Sequence, residues 1–151
     1  MPNMNLAKLN TPVLILLLAA GCLCADKKVI QPKEFPKGRP FSPGLVVDGT
    51  LYVSGQVGQN LKTGKIPEEF EAEVQQCLDD IGIILREAGM GFEDVVSVQV
   101  YLTDMDLFQR MNAVYTTYFK EPRPTRTTVG VTRLAGPARV EITVTARKAK
   151  N

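Results

Sequence analysis

The sequence predicts an α+β fold: a two-layer sandwich in which two helices cover one face of a mixed sheet of about five or six strands. Two segments, residues 68–88 and 106–119, carry apolar side chains at the three- and four-residue steps of an amphipathic helix. Short β-branched runs flank both segments, which gives the order β-β-α-β-α-β-β. Two helices can cover only one face of such a sheet, and each of them links strands that can run parallel.

The first part of this domain contains a lead-in and a hairpin. Residues 28–44 include four prolines, which predicts an extended segment without regular structure. Residues 45–58 contain Asp48-Gly49 between two apolar runs, which is a strong hairpin signal.

The first helix is predicted over residues 68–88. Pro67 suits its first turn, and Gly89 is placed to end it. Cys77 falls on its apolar face, so we interpret this thiol as a core residue. The whole apolar stripe comprises Phe70, Val74, Cys77, Leu78, Ile81, Leu85 and Ala88.

The remaining elements follow the same logic. Residues 95–103 form a predicted strand, and the helix over residues 106–119 ends at the proline-containing run that follows it. Two further strands, residues 126–133 and 139–147, are predicted to form a hairpin joined by a Gly-Pro turn.

The N-terminal 25 residues have the composition of a secretory signal peptide. One lysine precedes the apolar run 13–20, and no acid occurs before Asp26. We therefore expect residues 1–25 to be a signal and residues 26–151 a single domain, exported to a periplasm or secreted. The alternative is a cytoplasmic protein whose start codon has been assigned too far upstream.

Residues 18–22 also resemble a bacterial lipobox, which makes Cys22 a candidate for lipidation. Any membrane anchoring would then depend on this N-terminal lipid alone, because the apolar run is too short to span a bilayer. An ordinary signal cleaved near Ala25 is the other interpretation.

Composition excludes several classes of mechanism. The chain has no histidine, which rules out Ser-His-Asp and Cys-His catalysis and removes the commonest zinc ligand. The formal charge is +2 with both signs interspersed, so no basic stripe indicates nucleic-acid binding.

Strand alternation predicts a polar, uncovered sheet face. Within the predicted hairpin, Arg126, Thr128 and Glu141 fall on the polar side, away from the helices. Glu141 would lie opposite Gly130, about 13 Å along the ladder from Arg126. A flat face rich in threonine suits packing against another subunit, which predicts a homo-oligomer. A solvated face on a monomer is the alternative.

The two charged residues suggest a chemistry. Arginine presents a planar fork that binds both oxygens of a carboxylate, and a glutamate can orient or deprotonate water. Arg126 and Glu141 together could bind a small carboxylate compound and deliver water to it. The plainer interpretation is a pair of surface charges.

Several motifs extend this hypothesis. The runs LYVSGQVG, KTGKIP, YLTDMDLFQRMNAVYTTYF and RPTRTTVGVTRLAGPARVEI occur in this order between about Arg39 and Lys148. In composition and spacing they resemble the Rid (YjgF-type) family of enamine/imine deaminases.

The resemblance implies a chorismate-mutase-like sandwich assembled as a homotrimer with active sites between subunits. It implies hydrolysis of 2-aminoacrylate-like enamines and imines to 2-oxo acids and ammonia, as in 2-iminobutanoate/2-iminopropanoate deaminases, with no cofactor or metal. The substrate would be a small imine or enamine that bears a carboxylate.

The resemblance also assigns residues. Arg126 would hold the substrate carboxylate and Glu141 would position water, while Ser54 and Asn112 would bind substrate. For the last two, the alternative interpretations are a tight-turn residue before Gly55 and a polar residue on a helix flank. Phe41 stands where the deaminases have tyrosine, and Thr128 stands where cysteine is common; both are expected to line the substrate site.

Three other functions remain open or are disfavoured. One alternative is a non-catalytic ligand-binding or regulatory module on the same trimeric scaffold. Another is a deaminase or hydrolase for a different nitrogen-containing carbonyl compound. A nuclease is disfavoured, because basic and aromatic residues are not interleaved as single-strand binding requires.

Overall fold

A computed structural model describes residues 26–149, and the predicted signal peptide and Cys22 lie outside this range. Seven strands form a single sheet in the described part of the chain. The strands are β1 (Lys27–Ile30), β2 (Gly44–Val47), β3 (Thr50–Val53), β4 (Gln56–Val57), β5 (Val95–Leu102), β6 (Thr125–Gly130) and β7 (Val140–Arg147). The helices are α1 (Phe70–Glu87) and α2 (Phe108–Tyr118), with short 3-10 turns at Phe92–Asp94 and Met105–Leu107.

The sheet is mixed, and both helices pack on one of its faces, as predicted. Its strand order is β1-β2-β3-β7-β5-β6, with β4 also paired to β7. The β5–β6 pair is parallel, and all other pairs are antiparallel. The lead-in prediction was wrong at one place, because residues 27–30 form β1 by pairing with β2.

The β2–β3 hairpin is confirmed at Asp48-Gly49. Both residues have positive φ, 49° and 75°, as a two-residue turn of matching twist requires. Residues 44–47 pair with 50–53 in the register that this turn sets.

Helix α1 buries the stripe that periodicity predicts. Its stripe residues from Phe70 to Leu85 are all fully buried, and Ala88 is half-buried. Gly89 adopts φ 70° and its N–H donates to the Arg86 carbonyl, which ends the helix. Cys77 is buried and its thiol donates to the Gln56 carbonyl, so its assignment to the core is confirmed.

The predicted hairpin between the last two strands is wrong. Strand β5 lies between β6 and β7, pairing in parallel with β6 and antiparallel with β7. Helix α2 returns the chain parallel to β5, which places β6 at the sheet edge. The segment after β6 then passes the end of β5, where the Val131 N–H donates to the Leu102 carbonyl and the Thr103 N–H to the Arg139 carbonyl. A Gly-Pro between two strands does not distinguish a hairpin from a connection that skips one strand.

The new register also corrects the predicted faces. Arg126 pairs with Val98 and Thr128 with Val100, and both valines are buried toward the helices. Arg126 and Thr128 therefore lie on the helix-covered face, contrary to the prediction, whereas Glu141 lies on the open face as expected. The prediction placed the β6 side chains on the wrong faces because it took apolar Val129 to face the helices. In the structure Val129 points away from them.

The open face of the sheet has no cover within residues 26–149. Tyr52 and Val129 project from it with 52% and 41% of their surface exposed. Threonines on β7 and the Glu141 carboxylate complete a flat, mixed surface. No helix in residues 26–149 combines the length and apolar character needed to cross a bilayer.

Candidate active site

The sequence-predicted site residues fall into two separate places. The first is a cavity of about 570 Å³, here called the Glu141 cavity; its lining includes Arg39, Phe41, Ser54, Gly55, Gln56, Asp80 and Glu141. The second is a groove of about 400 Å³, here called the Arg126 groove; it is lined by Asn112, Tyr115, Thr116, Arg123, Pro124 and Arg126.

Glu141 is held in place by the backbone of the neighbouring strand. Strand β4 pairs with β7 so that Val57 lies opposite Glu141. The Glu141 carboxyl packs directly on Gly55, and a β-carbon at position 55 would overlap it. A larger residue at position 55 would therefore push the Glu141 carboxylate out of its present position.

Ser54 fixes the loop that carries Phe41. Its hydroxyl donates to the Ser42 carbonyl at 2.7 Å, and its N–H donates to the Pro43 carbonyl at 3.0 Å. Phe41 remains 49% exposed at the cavity, with the Arg39 guanidinium carbon 5.7 Å from its ring centroid. The turn interpretation of Ser54 thus has direct support, and its hydroxyl oxygen keeps acceptor capacity toward the cavity it lines.

Sequence reasoning missed Asp80, a second carboxyl in the Glu141 cavity. Asp80 is 1% exposed, and Gln76 Nε2 donates to its Oδ1 at 2.9 Å. Burial raises the pKa of Asp80 to about 7, and the neighbouring Asp79 charge adds to this, while the Gln76 hydrogen bond and the Arg39 charge oppose it. Its spacing three residues after Cys77 on the apolar stripe was the available signal.

A buried ion pair holds the start of β7. The Glu73 carboxylate is fully buried and accepts hydrogen bonds from Arg139 Nε at 2.6 Å and from the Arg139 backbone N–H at 2.7 Å. Arg139 also donates to the Pro67 and Glu68 carbonyls. This contact between α1 and β7 lies two residues before Glu141, and it fixes the strand that carries it.

The Arg126 groove lies between α2 and β6, on the helix-covered face of the sheet. The Arg126 guanidinium carbon lies 4.5 Å from the Tyr115 ring centroid and 5.6 Å from that of Phe108. Burial raises the pKa of Tyr115, and the positive charge of Arg126 opposes the shift. The hydroxyls of Tyr115 and Thr128 are buried without a hydrogen-bond partner among the described residues. Asn112 borders this groove from α2, half-buried.

One chain does not bring Arg126 and Glu141 together. Arg126 pairs with Val98 and Glu141 with Tyr101, so they are three positions apart along β5. They also lie two strands apart and on opposite faces of the sheet. At typical spacings this is roughly 10 Å along the strands and roughly 10 Å across them.

Comparison with known proteins places this arrangement in a family. A sequence model described as "Endoribonuclease L-PSP" matches residues 32–148. The chain belongs to this family, which is the Rid family that its motifs resemble.

Curated relatives support the assignment. A RutC family protein of Aquifex aeolicus is 40% identical over 124 residues, covering 81% of this chain and 99% of the relative. The 2-iminobutanoate/2-iminopropanoate deaminase of Mus musculus is 39% identical over 118 residues, covering 77% of this chain and 87% of the relative. The Rid family thus includes deaminases alongside members named only by family.

A solved Rid-family structure has the same fold. The YjgF gene product of E. coli superposes with a TM-score of 0.75 at 31% identity, covering 81% of this chain and 99% of the other. The predicted chorismate-mutase-like architecture, with two helices on an open mixed sheet, is confirmed. Within this Rid-family fold, Phe41 and Thr128 lie in different places: Phe41 at the Glu141 cavity and Thr128 beside Arg126 on β6.

Proposed function

We propose that this chain hydrolyses small 2-imino acids, and their enamine tautomers, to 2-oxo acids and ammonia. The observation that carries the proposal is the pair formed by an arginine without an acidic partner and a cavity containing Glu141. In residues 26–149, the ion pairs are Arg110–Glu71, Arg123–Glu121 and Arg139–Glu73, which leave Arg126 available for a substrate carboxylate. The Rid-family relatives named deaminases support the reaction class.

The proposed site is shared between subunits. Because Arg126 and Glu141 lie on opposite faces of one sheet, a second copy must supply one of them. The open face, with its exposed Tyr52 and Val129, is the surface that such a copy would cover. We propose a homotrimer in which the Glu141 cavity of each subunit meets the Arg126 groove of its neighbour.

The proposed chemistry needs only these groups. Arg126 pairs with the substrate carboxylate and fixes the imine carbon in place. Glu141 accepts a proton from a water whose oxygen bonds to the C=N carbon, while the nitrogen takes a proton to give a carbinolamine. The hydroxyl proton then passes to the amino nitrogen as the C–N bond breaks, which releases ammonia and leaves the 2-oxo acid.

The other candidate residues would shape the site. Ser54 and Phe41 line the cavity on the Glu141 side, while Asn112 and Thr128 belong to the Arg126 side. Phe41 offers a ring without a hydroxyl, so it contributes contact area but no hydrogen bond to substrate. This favours substrates with an apolar side chain.

Export is a separate proposal. A signal at residues 1–25 would deliver the mature domain outside the cytoplasm, with Cys22 as the lipidated residue if the segment acts as a lipobox. Cell fractionation and palmitate labelling of the wild type and Cys22→Ala test it. Labelling that persists in Cys22→Ala, or protein found only in the cytoplasm, contradicts it.

An imine-trapping assay tests the function. 2-Aminoacrylate or iminopyruvate is generated in situ by a dehydratase or an amino-acid oxidase, and semicarbazide traps what survives. The protein is expected to suppress trapping, and Arg126→Ala is expected to abolish the suppression. If the wild-type protein, like Arg126→Ala, fails to suppress trapping of any of several amino-acid-derived imines, the deaminase proposal fails. A ligand-binding module on the same scaffold then becomes the leading interpretation.

A further inference from the structure

The Arg126 guanidinium contacts two aromatic rings. Phe108 and Tyr115 are seven residues apart on α2, which places them on one helix face two turns apart, about 10.5 Å along the axis. The guanidinium carbon is 5.6 Å from one ring centroid and 4.5 Å from the other. Both distances are within the range of favourable cation–π contact.

These rings are the groups that fix the Arg126 side chain. Within residues 26–149, no carboxylate lies within 4.0 Å of its guanidinium. An arginine on an edge strand otherwise samples many rotamers, and ligand binding would have to order it. Contact with two rings removes much of that freedom beforehand.

The Tyr115 ring is itself rigidly supported. Tyr115 is 3% exposed and stacks on Phe119 with centroids 4.3 Å apart and planes at 28°. Phe119 in turn meets Phe92 edge to face at 5.2 Å. A core cluster therefore backs the ring that touches the guanidinium.

We propose that Phe108 and Tyr115 are positioning residues that hold the Arg126 guanidinium against their rings and direct its N–H edge toward a planar acceptor. The fitting ligand is the flat carboxylate of a conjugated 2-imino acid, bound by two parallel hydrogen bonds. A tetrahedral oxyanion fits this edge less well. The identity of the ligand rests on the proposed function, whereas the positioning of the guanidinium does not.

The positioning is tested on the protein itself by NMR of the arginine Nε–H groups. The Arg126 signal, assigned by its loss in Arg126→Ala, is expected to be displaced by the ring currents of its neighbours. Phe108→Leu and Tyr115→Leu should each move the signal toward the ordinary arginine position. Tyr115→Phe keeps the ring and should leave the signal near its wild-type position. Phe92→Leu, which perturbs the same aromatic cluster without touching Arg126, controls for loosened packing.

Binding then tests the consequence for ligands. Calorimetry with pyruvate, a planar carboxylate that is not consumed, should show affinity lowered about fivefold to tenfold in Phe108→Leu, with Tyr115→Phe weakened less than Tyr115→Leu. Inorganic phosphate should bind the wild type more weakly than pyruvate. Because Phe108 is only half-buried, its variant keeps the test valid if Tyr115→Leu does not fold.

The outcomes separate this inference from the deaminase proposal. Pyruvate binding that requires Arg126 but is unchanged in both leucine variants overturns the positioning role and leaves the deaminase proposal standing. Weaker binding in those variants, without hydrolysis of any imine by the wild type, supports the positioning role while the deaminase proposal fails. Phosphate binding as tight as pyruvate binding, or no pyruvate binding, overturns the planar-carboxylate claim.

Discussion

Arg126 and Glu141 lie on opposite faces of the same sheet, with strand β5 between the strands that carry them. Arg126 points toward α2 and Glu141 points to the open face. The two residues that the family resemblance combines in one site therefore cannot act on one substrate molecule within one chain. The proposed site is consequently a property of the assembly.

Replacement of Arg126 by lysine separates charge from geometry. Lysine keeps the positive charge but loses the two-pronged donor and the planar contact with the rings. We expect Arg126→Lys to raise KM for a 2-imino acid about tenfold or more, with a smaller change in kcat. Arg110→Lys, in an exposed pair with Glu71, should leave both constants unchanged. Equal KM values for Arg126→Lys and wild type would contradict a bidentate carboxylate contact.

Gly55 provides a test of Glu141 placement. A β-carbon at position 55 would overlap the Glu141 carboxyl, so Gly55→Ala must displace it. Since small displacements of catalytic groups are costly, we expect kcat/KM to fall about tenfold or more while the protein stays folded. Gly91→Ala, which displaces the carboxyl of exposed Glu93 away from the cavity, is the matched control. Full activity in Gly55→Ala would remove Glu141 from the mechanism.

Asp80 predicts a pH dependence of stability. Its pKa is about 7 in the folded state against 3.8 ordinarily, so the folded state keeps this proton where the unfolded state has lost it. The contribution of Asp80 to the free energy of unfolding should therefore be most favourable below about pH 4, fall as pH rises to about 7, and then level off. Asp80→Asn, which keeps the Gln76 hydrogen bond, should flatten this slope and stabilise the protein at pH 8 by roughly 2 to 4 kcal/mol. Denaturant unfolding of both proteins across pH measures the free energy of unfolding and its pH dependence. A pH dependence that is unchanged in Asp80→Asn would show that Asp80 is not its source.

A charged substitution on the open face is expected to disrupt assembly. Val129 is 41% exposed and projects from that face, so Val129→Glu should be tolerated in an isolated chain but should disrupt a subunit interface there. Sedimentation is expected to show loss of the trimer in Val129→Glu and retention of it in Thr117→Glu, which places the same charge on the exposed side of α2. A wild-type protein that sediments as a monomer would contradict the proposed assembly. A trimer that survives Val129→Glu would show that the subunit interface does not include Val129.

The sequence predicted local structure well because local signals determine it. The Asp48-Gly49 turn and the apolar stripe of α1 each depend on contacts within a few residues, and both are confirmed. The insertion of β5 between the last two strands depends on long-range pairing, for which the Gly-Pro turn carries no signal.

Prediction of the candidate site was limited in the same way, because it too depends on long-range strand pairing. The family motifs named Arg126 and Glu141, but their faces depend on which neighbour each strand pairs with. Edge strand β6 has few apolar residues, so alternation alone could not show which side meets the helices. Asp80 was missed because an acid on a helix is ordinarily solvent-exposed, and its spacing after Cys77 was too weak a signal to outweigh that expectation.

Subunit complementation tests the shared site most directly. Arg126→Ala and Glu141→Gln chains, each inactive alone, would be co-expressed with different tags and the mixed assemblies purified. If each site takes Arg126 from one subunit and Glu141 from its neighbour, each mixed trimer regains one of its three sites, and the purified mixed trimers should show about a third of wild-type activity. Mixed assemblies as inactive as either parent would contradict a site shared between subunits.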